Sequence, residues 1–154
     1  MSEYYSTLKL VDSSLRNFYL DIATRKVVSF VDKLTNWYVR RSRRRFWAEW
    51  MWNDKLSAYY TLTEVLLGYL KMLAPFAPFI TEYLYLKLMN NVFENKLGDS
   101  VHLLWWEIFS DKYVNEELQK EIDLVRRIIK LWLYIRAKNR IKVKQPLRKM
   151  EVRI

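Results

Sequence analysis

The chain is predicted to be all-α, a bundle of about four or five helices, and three observations carry that expectation. Its 154 residues include only two glycines and three prolines, whereas an all-β sandwich needs turn signals about every 8 to 12 residues. Hydrophobic residues make up 51% and aromatics 16%, ample for the packed core of one domain. Along several stretches apolar residues recur at spacings of three and four, the repeat of a helix with one buried face.

Residues 4 to 15 form a short amphipathic segment, read as the remnant of a longer helix. A second helix is expected from about Asp21 to Trp50, with Val27, Val31, Leu34 and Tyr38 on one face. Asp54 is a candidate N-cap for a third helix through Tyr59, Leu62, Leu66, Tyr69 and Leu73. That helix should stop near Ala74-Pro75-Phe76-Ala77-Pro78, because proline lacks a backbone donor and restricts the residue before it. Phe79 to Met89 resumes the pattern, so residues 54–92 read as two helical arms meeting at a break.

Asn90 to Asp99, with Gly98, reads as a loop, and Val101 to Trp106 is apolar but too short to classify by period. The last helix is expected over Asn115 to Asn139, with Leu118, Ile122, Val125, Ile129 and Trp132 on one stripe. Ile141 to Pro146 then breaks the pattern, and Val152 and Ile154 alternate with Glu151 and Arg153 like a short C-terminal strand. The expected organisation is a helical bundle over residues 1–140 and an exit segment over 141–154. A lone strand without a partner implies a longer parent protein.

Charge is distributed unevenly. Residues 25–45 hold eight Lys/Arg against Asp32 alone, and residues 126–153 hold eleven against Glu151 alone, on a chain whose net charge is +10. The other 105 residues therefore carry −7. Two basic segments on an acidic body point to nucleic acid or an anionic membrane surface as partner. With no cysteine, disulfides and thiolate zinc sites are excluded. No apolar run reaches the roughly 18 to 20 residues that span a bilayer, and Glu3 and Asp12 do not fit a signal peptide. A cytoplasmic protein with no membrane partner is the expectation.

The densest basic stretch is Asn36-Trp37-Tyr38-Val39-Arg40-Arg41-Ser42-Arg43-Arg44-Arg45-Phe46-Trp47. On a wheel drawn at about 100° per residue, Asn36, Arg40, Arg43, Arg44 and Trp47 share one arc, which Lys33 extends upstream. Val27, Val28, Phe30, Val31, Leu34, Tyr38, Val39 and Phe46 lie opposite. Arginine offers a planar donor fork for phosphate or a guanine edge, asparagine a matched donor and acceptor, and an exposed indole a platform for an unstacked base. Those are the requirements of RNA binding. A solvated helix face, or a basic helix docking on an acidic protein, accounts for the same composition. Arg41 and Arg45 fall inside the apolar arc, where an unpaired charge is costly, unless Glu49 or Glu64 meets them or they extend past the packed region. Trp47, Trp50, Met51 and Trp52 admit a membrane-surface or partner-helix contact as well.

Other catalytic or metal-binding patterns are lacking in the sequence. His102 is the only histidine, and beside Leu103 and Trp105 it reads as a packing residue. No phosphate-binding glycine loop, nucleophile elbow or paired-carboxylate motif occurs. No catalytic residue, metal ligand or cofactor is therefore assigned.

The Asn36–Trp47 stretch closely resembles a segment of the anticodon-binding domain of isoleucyl-tRNA synthetases, which are class Ia aminoacyl-tRNA synthetases. Lys55-Leu56-Ser57-Ala58-Tyr59-Tyr60-Thr61-Leu62 is similar to the segment that follows, and Leu73-Ala74-Pro75-Phe76-Ala77-Pro78-Phe79-Ile80-Thr81-Glu82 to a proline-broken helix junction. Ser100-Val101-His102-Leu103 resembles the loop before a tryptophan, here Trp105 or Trp106, and Ile141-Lys142-Val143-Lys144-Gln145-Pro146-Leu147 the segment leaving the bundle. Valyl and leucyl enzymes share the bundle but lack the arginine run. The resemblance implies a helical domain that docks the anticodon stem-loop of isoleucine tRNA and works beside the catalytic domain of the parent chain. Related methionyl enzymes read anticodon bases with an Asn and an Arg four residues apart, the spacing of Asn36 and Arg40. The HIGH and KMSKS motifs, the editing insertion and a zinc-binding tail have no counterpart here; Lys71-Met72 is followed by Leu73-Ala74-Pro75. By resemblance, ATP and Mg belong to the parent enzyme, and this chain neither activates isoleucine nor edits.

Overall fold

The computed structural model describes residues 1–50, 52–93, 98–106 and 110–152. It is all-α: six α-helices, two π turns and two short 3-10 turns, with no strand among the described residues. The chain divides into two compact units, Met1–Val114 and Asn115–Ile154.

In the first unit, α1 (Ser2–Arg16) and α2 (Leu20–Lys33) pack as a helical hairpin. Tyr4, Thr7, Leu8, Val11 and Ser14 of α1 are buried at helical spacing, and Ala23, Val27 and Phe30 of α2 meet them. Val28, placed inward by the wheel, is instead exposed, because it lies about 100° around the helix from Val27, beyond the face that meets α1 and the rest of the core. The turn between the helices has no glycine. Phe18 adopts φ 60, and the amides of Phe18 and Tyr19 reach back to the carbonyls of Leu15 and Ser14, closing the α1 C-terminus with a left-handed residue and paired carbonyls.

The third side of this core is α4 (Asn53–Leu73), which contributes Val65, Tyr69 and Met72. Phe30 lies between Tyr4 and Tyr69, with ring centroids 6.1 and 5.8 Å away. The expected proline junction is present: α4 ends at Leu73, and α5 (Pro78–Leu88) begins with a proline in its first turn, where the missing amide costs nothing. Asp54 does not cap α4. Trp52 occupies that position and Asp54 lies inside the first turn, where its carboxylate is taken by Arg45.

A second core joins Leu70 and Ala74 to Tyr85, Met89 and Val101. Part of the expected 90–99 loop is helical, since α5 passes into a π turn over Met89–Phe93; residues 94–97 of that loop lie outside the described residues. Tyr85 donates to the carbonyl of Gly98 at 2.9 Å, and Gly98 holds φ 134, a conformation other residues avoid. Glu82 accepts from the Val101 amide and the Ser100 hydroxyl, fixing the 3-10 turn Val101–Leu103 to α5. His102 is a partly exposed neighbour of Glu82, 4.0 Å away, rather than a packing residue, because its turn directs Val101 inward instead.

The second unit is built on α6 (Glu116–Lys138). Asn115 caps it by accepting from the Leu118 amide, Glu116 and Glu117 occupy the first turn, and Arg136 and Lys138 the last, as the helix dipole favours. Arg140, at φ 55, closes the helix in the manner of Phe18. Leu118 and Val125 of the expected apolar stripe are exposed within this unit. Arg136 is buried instead, stacked 4.3 Å from the Trp132 ring and donating to the carbonyls of Lys142, Val143 and Gln145. Those bonds hold the exit segment on its own helix. Glu151 and Val152 form no strand, and Arg153 and Ile154 lie outside the described residues.

Candidate nucleic-acid interface

The expected single helix from Asp21 to Trp50 is interrupted, and the interruption positions the arginines. After α2 the backbone opens into a π turn over Leu34–Val39, where the Arg40 amide reaches back five residues to Thr35. The Thr35 hydroxyl donates to the Val31 carbonyl at 2.8 Å, a local bond of the kind that bends helices. A turn at Ser42 separates this segment from α3 (Arg43–Phe46).

The inward positions are therefore Leu34, Tyr38, Ser42 and Phe46, an interval of four throughout. On an ideal α-helix each step of four overshoots a full turn by about 40°, so three steps would carry the face some 120° away from α4. The wider π turn absorbs that drift. Asn36, Arg40 and Arg44 sit two residues out of phase with the inward line and are all exposed. Arg43 and Trp47 flank the line on one side; both are exposed, with the Arg43 guanidinium 5.7 Å from the Trp47 ring.

Arg41 and Arg45 flank it on the other side, which accounts for their placement by a wheel of 3.6 residues per turn inside the apolar arc. Arg41 is exposed and lies over Trp37 at 4.8 Å. Arg45 turns toward α4 and grips Asp54 in a bidentate pair, Nε to Oδ2 at 2.8 Å and Nη2 to Oδ1 at 2.7 Å, with a further bond to the Asp54 carbonyl. The partner is Asp54 rather than Glu49 or Glu64. Hydrogen bonding raises the Arg45 pKa above its ordinary value and lowers that of Asp54 below the usual carboxylate range.

Of the residues expected at an RNA surface, the structure brings Asn36, Arg40, Arg43, Arg44 and Trp47 onto one exposed strip. Lys33 does not join them: it is half-buried and donates to Glu3 at 2.7 Å. Asn36 uses one N–H of its amide on Asp32, at 2.6 Å, which leaves its carbonyl oxygen and second N–H for a ligand. Arg40 and Arg44 form no ion pair among the described residues, and Trp47 keeps 76% of its surface exposed.

Aromatic contacts hold this strip on α4. The Phe46 ring lies 5.0 Å from Tyr59 and 6.4 Å from Tyr38, and the Tyr38 hydroxyl donates to the Ala58 carbonyl at 3.2 Å. Removing that hydroxyl should cost about 0.5–1.5 kcal/mol: Tyr38→Phe is expected to lower the denaturation midpoint while leaving the far-UV spectrum helical, and a midpoint equal to that of the native chain would count against this anchoring role.

Sequence reasoning missed what lies beside the strip. Arg44, Arg45, Ala48, Trp52, Asp54 and Lys55 line an open cavity of about 320 Å³ where α3 meets the start of α4. Trp52, in its wall, is 66% exposed, and Trp50, two residues before it, is 72% exposed. Their grouping with Trp47 in sequence was the available signal. Among the described residues, no cluster of three or more His, Cys, Asp or Glu is placed to hold a metal ion, and no helix is long and apolar enough to cross a membrane.

An exposed arginine line set on a helical bundle by an aromatic seat defines a class. Residues 1–151 match the family described as the anticodon-binding domain of tRNA ligase, and the chain belongs to that family. Within it, the chain resembles one stretch of isoleucine–tRNA ligases. It is 41% identical to that of Pyrococcus horikoshii over 97% of its own length, 39% identical to that of Clostridium tetani over 100%, and 38% identical to isoleucine–tRNA ligase 2 of Bacillus cereus over 96%. The chain spans only 14–15% of the length of these relatives.

Proposed function

We propose that this chain is the part of an isoleucine–tRNA ligase that docks the anticodon stem-loop of isoleucine tRNA, acting beside a catalytic domain elsewhere in the parent chain. The observation that carries the proposal is the line of Asn36, Arg40 and Arg44, exposed at intervals of four with both guanidinium groups free of ion pairs among the described residues. Two uncommitted guanidinium groups on a fixed backbone suit phosphates at a defined separation, and the neighbouring Asn36 oxygen and Trp47 indole suit an unstacked base. Family membership supports the same role.

In this proposal the chain is a non-catalytic, cytoplasmic module. Aminoacylation, with its ATP and Mg, belongs to other parts of the parent protein. Nothing about the Arg45–Asp54 pair suggests an acid or base: both members are held in their charged forms.

Titrating a fluorescently labelled anticodon stem-loop at several salt concentrations tests the role. The logarithm of the association constant should fall with the logarithm of salt by about 0.7 to 0.9 for each phosphate neutralised. Salt-independent binding, or none, would overturn it. Asn36→Ala should narrow the difference in affinity between the cognate and altered anticodons. Unchanged discrimination would remove Asn36 from base reading, and equal affinity of the native chain for every RNA would favour a general basic interaction module.

A further inference from the structure

We propose that the cavity between α3 and the start of α4 seats one unpaired nucleotide of the bound RNA, its base against the Trp52 indole and its phosphate on Arg44. The proposal rests on the RNA-docking role above and extends it to a pocket beyond the outward line of Asn36 and Arg40. The cavity, about 320 Å³, falls at the small end of the range typical of ligand pockets. One of its walls is a flat indole, 66% exposed and stacked on no other ring among the described residues.

The polar lining divides into groups already committed and groups still available. Arg45 and Asp54 satisfy each other in their bidentate pair. Lys55 donates to the Ala48 carbonyl at 2.7 Å, which leaves its remaining N–H groups for a ligand oxygen. Arg44 is exposed and has no ion pair among the described residues. The committed groups hold the walls before any ligand arrives, which reduces the ordering cost of binding. The available ones place cationic donors beside an aromatic face. A ligand that matches both is anionic and carries a flat ring, as a nucleotide does. An acidic side chain from a protein would satisfy Arg44 and leave the indole face unused.

Trp52→Ala and Trp52→Phe in the full chain test the seat. Losing one base stack should weaken stem-loop binding about 5- to 150-fold, with the salt slope unchanged because no cation is removed. Trp52→Phe should recover most of that loss. Arg44→Ala should reduce the slope by about one phosphate. Circular dichroism checks that each variant folds. Stem-loop affinity of Trp52→Ala equal to that of the native chain overturns the proposal. If the native chain binds no stem-loop, the docking role has failed separately, and a titration with adenosine monophosphate decides the pocket. Movement of the Trp52 indole N–H resonance, assigned by its absence in Trp52→Phe, supports the seat, and a resonance unmoved at millimolar nucleotide overturns it.

Discussion

Phe30→Ala should destabilise the first unit by about 3–5 kcal/mol, the range for emptying a buried aromatic site. Phe30 is 3% exposed and lies between the rings of Tyr4 and Tyr69, so its removal strips contacts from α1, α2 and α4 together. Domain stabilities are typically about 5–15 kcal/mol, which makes this loss a large share of the total. Urea denaturation followed by aromatic circular dichroism should show the midpoint falling with little change in slope. Phe30→Leu, which leaves a smaller void, should fall between. A loss near 1 kcal/mol for the alanine variant would mean that the three helices repack without the ring. Because Phe30 sits one turn before the π segment on the same continuous stretch, RNA binding should weaken in the alanine variant although Phe30 touches no RNA.

The second large effect concerns binding alone. Arg40→Ala combined with Arg44→Ala should leave the denaturation midpoint nearly unchanged, since both side chains are exposed and unpaired among the described residues, and substitutions of that kind usually stay within about 0.5 kcal/mol. Stem-loop affinity should drop for every anticodon variant alike, and the salt slope should shrink by roughly 1.4 to 1.8, the share of two phosphates. Fluorescence anisotropy at several salt concentrations measures both quantities. A native slope in the double variant would make these arginines an ordinary solvated face.

Much of the fold was legible because its signals are local. The 3.6-residue repeat marked α2, α4 and α6, and Pro75 and Pro78 marked the break between α4 and α5. The ends of α1 and α6 fall close to the expected positions, residue 15 and Asn139 against the observed Arg16 and Lys138. They close on Phe18 and Arg140 in left-handed conformations, where glycine is the usual signal, so the manner of closure, by pairing of the last carbonyls, was not readable from composition. Asp54 had the right chemistry for a cap, but Arg45 competes for its carboxylate and wins through two parallel hydrogen bonds.

At the interface, exposure of Asn36, Arg40, Arg43, Arg44 and Trp47 followed from periodicity, because an arc about 100° wide tolerates a modest phase error. Arg41 and Arg45 fell inside the opposite, apolar arc, and only the wider winding of the π turn moves them to the flank of the packed line. Lys33 has the right charge, but only the folded hairpin reveals Glu3 beside it. The cavity was beyond any wheel, since it joins residues from two helices across a turn.

The π turn at Leu34–Val39 amounts to a helix carrying more chain than its axial length requires. A single-residue deletion there would restore ordinary winding and leave Phe46 within about 20° of its present direction, since eleven steps of about 100° come to three turns and a small remainder. Phe46 could then keep its seat on α4 with α2 still in register with α1. The angular position of the arginine line is thus set by winding and length together, and substitutions that forced ordinary α-winding on the present number of residues would misdirect Arg40 and Arg44 as surely as replacing them.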